Sequence, residues 1–421
     1  MKKSILKISI IFIIIIMLIT GGFFVTKLNM KFPDKVTYGN GTDAAYCADG
    51  GMYYIKNKCI YFLDSKNQIN TVVCNKANCT HNTVSCNAYM EDFQAPTIIC
   101  YGDYLYVSLS KSNISFNDGE ASYTGLVKLD CIKCDGSSRR TIYSADSGAV
   151  TSMKAIGDKL YFTTWAYPDP SEYVLNSFVS TQTLYEYDLR WNKLKTVLEY
   201  PADENHEISR LDIVKGNVQD VYVMYDVYDK DGSQRTQLLK YDDNKMMVIK
   251  EYYIADFNDS KENIDFVINE SEQLEIIQTL LGEANDVLAV SSSNDCFQTK
   301  KLMFTIDDAH DIAMNDGYIL FVNSDYNKIM LDCYSMNMYI ATTCFEGEKY
   351  ISDILDIDEE NNAIYIDATD YTGILPGTIF YEDPKNQAVA DFDVFMSNYF
   401  IDKASVNHDD IAKLTWVHFE D

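Results

Sequence analysis

Basic charge is what this chain most lacks: 35 Lys and Arg stand against 63 Asp and Glu, a formal net charge of −28 over 421 residues. So acidic a surface repels phosphate backbones and anionic headgroups, which excludes nucleic acid as a partner and argues against a lipid-binding surface patch. Catalytic signatures are missing too. No Gly-x-Ser-x-Gly elbow, no His-Glu-x-x-His pair and no phosphate-binding loop occurs. Histidine is scarce at five, and His206, His310, His408 and His418 are scattered with no serine or acid partner assignable from spacing. No catalytic residue is nominated, and a solvated acidic face is the ordinary reading of the charge.

Aromatic residues, by contrast, are plentiful. There are 32 Tyr and 20 Phe, and 47% of the chain is hydrophobic, which is enough for a substantial core and suits pleated strands. They recur in one pattern, a tight turn followed by a short aromatic or β-branched strand. Its clearest copies are Gly102-Asp103-Tyr104-Leu105-Tyr106-Val107, Gly157-Asp158-Lys159-Leu160-Tyr161-Phe162 and Asn315-Asp316-Gly317-Tyr318-Ile319-Leu320-Phe321. Looser copies begin at Gly50, Asn217, Asn285 and Asn361. A second strand follows and ends at or near an acid, as at Asp64, Asp130, Asp188, Asp242, Asp307, Asp332 and Asp383. An Asp suits that exit because its carboxylate accepts hydrogen bonds from the next turn's backbone. A third apolar segment usually follows, such as Thr71-Val72-Val73 or Thr141-Ile142-Tyr143.

The repeat period, roughly 45 to 60 residues, is that of four-stranded propeller blades. One small sheet cannot hide both faces alone, whereas radial packing against neighbours hides both. The expected fold is therefore all-β, a β-propeller of about seven four-stranded blades, with six or eight also compatible. A sandwich array would repeat nearer every 100 residues and ranks below. Two stretches break the rhythm. Asn269 to Ile277 has the pattern of a capped amphipathic helix, giving an expected partly helical insertion near 253–283. Lys413 to Phe419 alternates like a strand and is expected to close the ring against residues 36–55.

The amino terminus carries Lys2, Lys3 and Lys7 ahead of an uncharged run from Ile8 to Thr26. That is close to the ~20 residues a membrane-spanning helix needs. A cleaved signal peptide is the competing reading, but no small-x-small site follows Gly22. The first cysteine is Cys47, too far along for lipid attachment. The expected organisation is a signal-anchor transmembrane helix within 1–30, then a single propeller over 31–421 outside the membrane.

Chemistry gathers most densely at Cys74, Cys79, His81 and Cys86, three thiols and an imidazole within thirteen residues. These are the donors of a tetrahedral zinc site, although their spacing is not that of a zinc finger and the closeness of Cys79 to His81 strains joint ligation. A loop-stapling disulfide, Cys74 with Cys86 or Cys79 with Cys86, fits the same residues, as do free thiols. Cys131 and Cys134 have the spacing of a redox pair, but they follow a strand and precede Asp135-Gly136, the setting of a hairpin tip. Asp226, Asp229 and Asp231 suggest a calcium loop without its closing glutamate, and a hairpin turn accounts for them.

The stretch Cys74-Asn75-Lys76 through Cys79, His81 and Cys86-Asn87-Ala88-Tyr89, directly after a strand, resembles a motif in exported proteins of anaerobic Gram-positive bacteria. Those are membrane-attached or lipoprotein-like β-propellers of unassigned biochemical function. The resemblance implies a fold and a location and supplies no substrate or catalytic residue. The resulting expectation is a membrane-anchored binding or scaffold protein at the cell surface, holding a surface protein or a glycan. The alternative is a propeller lyase or glycosidase with carboxylates at the channel mouth.

Overall fold

The computed structural model describes residues 27–418 with interruptions, the longer ones at 167–179, 371–387 and 392–416, and describes side chains only within 27–251. The expected anchor therefore lies outside the described residues. Among those described, no helix is long and apolar enough to cross a membrane.

The described strands form seven sheets, nearly all antiparallel, which follow one another along the chain. After a lead-in strand β1 (Thr37–Asn40), the first sheet contains β2 (Ala45–Ala48), β3 (Gly51–Lys56), β4 (Cys59–Asp64) and β5 (Ile69–Val72). The second contains β6 (Gln94–Tyr101), β7 (Tyr104–Asn117), β8 (Glu120–Lys133) and β9 (Arg139–Ala145). The third contains β10 (Ala149–Ile156), β11 (Lys159–Ala166), β12 (Thr181–Asp188) and β13 (Lys193–Tyr200), and β1 joins its β10 edge. Four more sheets occupy 206–254, 262–307, 309–343 and 349–418, except that Lys215–Gly216 joins the second of these, parallel to Val267–Ile268. Within each sheet consecutive strands lie side by side, a meander. β2 lies beside β6 of the second sheet and also beside Lys349–Asp358, the opening strand of the last. The layout is propeller-like.

Sequence explains the local geometry. Gly102 and Gly157 turn β6 into β7 and β10 into β11 at φ of 60° and 54°, a region that only glycine enters without cost. The acid at the strand exit acts as expected in β12, where Asp188 Oδ1 accepts the N–H groups of Arg190 at 3.0 Å and Trp191 at 2.8 Å.

Successive residues point to opposite faces of a strand, and each face here meets a different core. Ile98, Leu105, Val107 and Ile132 of the second sheet pack with Tyr53 and Ile60 of the first. Their immediate neighbours Ile99, Tyr106 and Cys131 pack with Met153, Leu160 and Phe162 of the third. The third sheet repeats the device: Ile156, Tyr161 and Leu184 pack against Leu211, Val221 and Val223 of the fourth. Full burial of such a side chain contributes about 1.5–3 kcal/mol, so loss of either neighbour exposes an entire row.

Two expectations are corrected. The stretch expected as a capped helix contains the strand Leu274–Leu280, hydrogen-bonded to Glu262–Ile268 on one side and Val287–Ser293 on the other. Ile276, Ile277 and Thr279 are β-branched, and pairing on both edges outweighs a weak helical periodicity. At the carboxyl end, Val417–His418 pairs with Ala388–Asp391 and so joins the last sheet, and among the described residues it has no pairing to the first.

One buried cation offers a test of the packing between the third and fourth sheets. Lys154 in β10 is fully buried and donates from Nζ to the Asp220 carbonyl at 2.9 Å. Burial pushes its pKa down to about 8, partly countered by the Asp220 charge. The folded state thus binds fewer protons than the unfolded chain between pH 8 and the ordinary lysine value, and stability must rise with pH across that window. Measured against Lys154→Met by urea denaturation, wild type should gain about 3 kcal/mol between pH 8 and 10.5. A flat difference would show that this amine is hydrated.

Candidate metal centre

The cysteine-rich segment leaves β5, loops outward and returns along the edge of β4. Val73 N–H donates to the Ile60 carbonyl at 2.9 Å, and Ile60 N–H donates to the Ala88 carbonyl at 3.0 Å. Cys59 and Tyr89 form an antiparallel bridge. Residues 88–90 therefore take the place beside β4 that β5 vacates. Cys86, Ala88 and Met90 belong to the core shared by the first and second sheets.

Between these anchors, two non-glycine residues adopt the left-handed conformation, Asn78 at φ 59° and His81 at φ 55°. Asn and His are among the side chains that tolerate it best. These reversals curl the loop so that the Cys74, Cys79 and Cys86 sulfurs and a His81 ring nitrogen all lie within 4.8 Å of one another. The strain expected from Cys79 and His81 standing two positions apart is relieved by that turn at His81. His81 Nδ1 lies 3.3 Å from Cys86 Sγ. A tetrahedral metal with bonds near 2.3 Å has ligand–ligand edges of about 3.7 Å, so closing on an ion needs a contraction of about 1 Å at most.

The thiols are not equivalent. A backbone N–H at His81 stabilises the Cys79 thiolate and lowers its pKa below the ordinary thiol value, with smaller help from Cys86, Cys74 and Lys76. Burial pushes Cys86 up to about 12. The set thus pairs a thiol that ionises more readily than usual with one whose ionisation burial opposes. Cys3His is a donor group that could hold a metal such as zinc.

Residues distant in sequence support the loop. The Cys59 thiol donates to the His81 carbonyl at 2.9 Å, gripping the reversed residue from below. Asn87 Nδ2 donates to the Gly136 carbonyl at 2.8 Å. Gly136 sits at φ 69°, and a Cβ there would meet the Val73 carbonyl oxygen at 2.5 Å and Cys74 Cα at 2.6 Å. Arg139 in β9 donates to the Tyr89 carbonyl at 2.5 Å and to Asp130 Oδ2 at 2.8 Å from Nε. Asp130 is 2% exposed, and its other oxygen accepts from Thr141 Oγ1 at 2.6 Å. The second sheet thereby holds a loop that belongs to the first. Spacing could not have revealed the roles of Gly136 and Arg139, whose bonds to the loop span 49 to 52 positions.

Cys131 and Cys134 pack on different cores. Cys131 is buried in the core between the second and third sheets, among Tyr106 and Tyr187. Cys134 packs on the core between the first and second, where its sulfur neighbour is Cys100 at 3.7 Å. The aspartates weighed as a calcium loop flank a hairpin, Val221–Asp229 to Gln234–Asp242, where Asp226 accepts from Thr236 at 2.6 Å. Asp231 lies outside the described residues.

No protein-family model matches the chain, and no curated protein matches it. Solved structures do. An oligogalacturonate lyase in complex with manganese is 12% identical, with TM-score 0.48 over 79% of this chain and 87% of its own. An ulvan lyase is 8% identical, with TM-score 0.47 over 80% and 92%. The β-propeller domain of the trilobed protease from Pyrococcus furiosus is 9% identical, with TM-score 0.44 over 86% and 93%. Similarity at this level transfers no activity, and the propeller-like assignment rests on the order of the sheets.

The Arg139–Asp130 contact carries a direct consequence for stability. Arg139→Met removes the partner of a buried carboxylate and two donors to the cysteine loop. It should cost about 3 kcal/mol, seen as a lower urea midpoint for the full chain in detergent. An unchanged midpoint would show that the contact contributes nothing.

Proposed function

We propose that the chain is a membrane-anchored, extracytoplasmic β-propeller of seven blades that acts as a binding or scaffold protein at the cell surface, with a structural zinc in its first blade. The observation that carries this reading is the sequence of sheets that share cores through both faces, with the opening strand of the last beside that of the first. A closed ring built this way is rigid and presents loops and a channel mouth, the features a protein or glycan ligand needs. The uncharged run from Ile8 to Thr26 supports tethering, and the net charge of −28 fits a partner other than nucleic acid. Buried carboxylates already tied to neighbours, such as Asp130 to Arg139 and Thr141, give no support to the lyase or glycosidase alternative.

Zinc is the metal that suits the site. Three soft thiolates with one imidazole in a compact set favour a tetrahedral d10 ion, and four protein donors leave no position open for substrate. A disulfide would use two of the three sulfurs and give neither the third nor His81 a role. The residues that would hold the ion are Cys74, Cys79, His81 and Cys86. It would supply structure, fixing the loop that bridges the first two sheets.

Two measurements test this reading. Full chain in detergent should contain one zinc, lost in Cys79→Ser and held about tenfold more weakly in Gly136→Ala, the usual effect of disturbing groups that position ligands. A metal-free chain with a peptide linking two of Cys74, Cys79 and Cys86 would instead establish a disulfide there. Incubated with cell-wall glycans and surface proteins, the chain should retain a ligand unaltered. Cleavage of the glycan, or retention of neither class, would overturn the binding reading.

A further inference from the structure

A second sulfur cluster lies outside the metal centre. Cys100 occupies β6, and Cys134 is the first residue beyond β8, so the two flank the start of β7. The Cys134 N–H donates to the Asp103 carbonyl at 2.9 Å, which fixes it beside the Gly102 turn. Both sulfurs approach the Gly102 carbonyl, at 3.9 Å from Cys100 and 4.0 Å from Cys134. They stand 3.7 Å from each other, and both residues are partly exposed. Closing the sulfurs from 3.7 Å to the ~2.05 Å of a disulfide requires a movement of about 1.6 Å.

We propose that Cys100 and Cys134 are a dithiol–disulfide pair, a site of reversible oxidation by disulfides outside the membrane. Cys134 is the attacking thiol. Hydrogen bonds from Cys100 and then from Tyr53 hold it below the ordinary thiol value against the opposing effect of burial. Its thiolate displaces one thiolate from an external disulfide and forms a mixed disulfide. The Cys100 sulfur, deprotonated, then attacks the Cys134 sulfur and releases the second thiolate. The protein loses two protons and two electrons, and the external disulfide becomes two thiols. Closure ties β6 to the end of β8 and restrains the turn that carries Gly136 against Cys74. Neither the zinc nor the closure of the ring enters this argument, because both cysteines belong to the second sheet and its edge.

The test uses reduced full chain in detergent, with and without added zinc, exposed to oxidised glutathione, alkylated under denaturing conditions and mapped by mass spectrometry. The expected product has lost two hydrogens and contains a peptide linking Cys100 to Cys134. Cys131→Ser should form the same link at an unchanged rate, whereas Cys100→Ser should retain a glutathione adduct on Cys134. Failure of the folded wild-type chain to form the link, or formation of a Cys131–Cys134 link, would overturn the proposal. The wild-type result decides the matter even if a variant does not fold.

Discussion

The constraint on which everything else rests is that the second and third sheets, whose side chains are described on both faces, cannot stand alone. Ile98 and Ile99 are neighbours in β6, yet one belongs to the core shared with the first sheet and the other to the core shared with the third. Leu160 and Phe162 face the second sheet while Tyr161 between them faces the fourth. An ordinary two-layer protein turns one side of each sheet to water. In these two sheets apolar residues occupy both sides, so each requires two partners, and a linear stack of such sheets would leave its end sheets exposed. Bringing the last sheet beside the first removes both ends, which is the physical case for a ring.

The cysteine loop exploits this arrangement. It leaves the first sheet, buries Cys86, Ala88 and Met90 between sheets, and is gripped from the second by Arg139, Gly136 and Asn87. Convergence of its four donors depends on Asn78 and His81 in left-handed turns and on the Cys59 thiol beneath the His81 carbonyl. A metal there would hold together a loop whose own hydrogen bonds are few and short-range. Its effect would extend to the contact between the first two sheets, because the same residues serve both.

Much of the fold was legible because its signals are local. Glycine at the turn, aromatic and β-branched residues in the strand, and aspartate at the exit recur at fixed offsets, and β7, β11 and β12 form where those signals place them. The errors came where a local signal competed with a partner elsewhere. Leu274–Leu280 has a weak helical period, and only the strands on both sides of it, invisible in a window of that length, make it β. The metal donors could be named from residue type. Their convergence could not, since it depends on backbone reversals at Asn78 and His81 that spacing alone makes improbable. Cys131 and Cys134, close in sequence, pack on different cores, and Cys134 lies beside the distant Cys100.

Closure of the ring is the claim that most needs direct measurement. A photo-crosslinking residue placed in the strand Ala45–Ala48 of the full chain, followed by peptide mapping, reports what lies beside it. Crosslinks to Lys349–Asp358 as well as to Gln94–Tyr101 are the predicted result. Crosslinks confined to the first and second sheets would contradict closure and, with it, the seven-bladed ring.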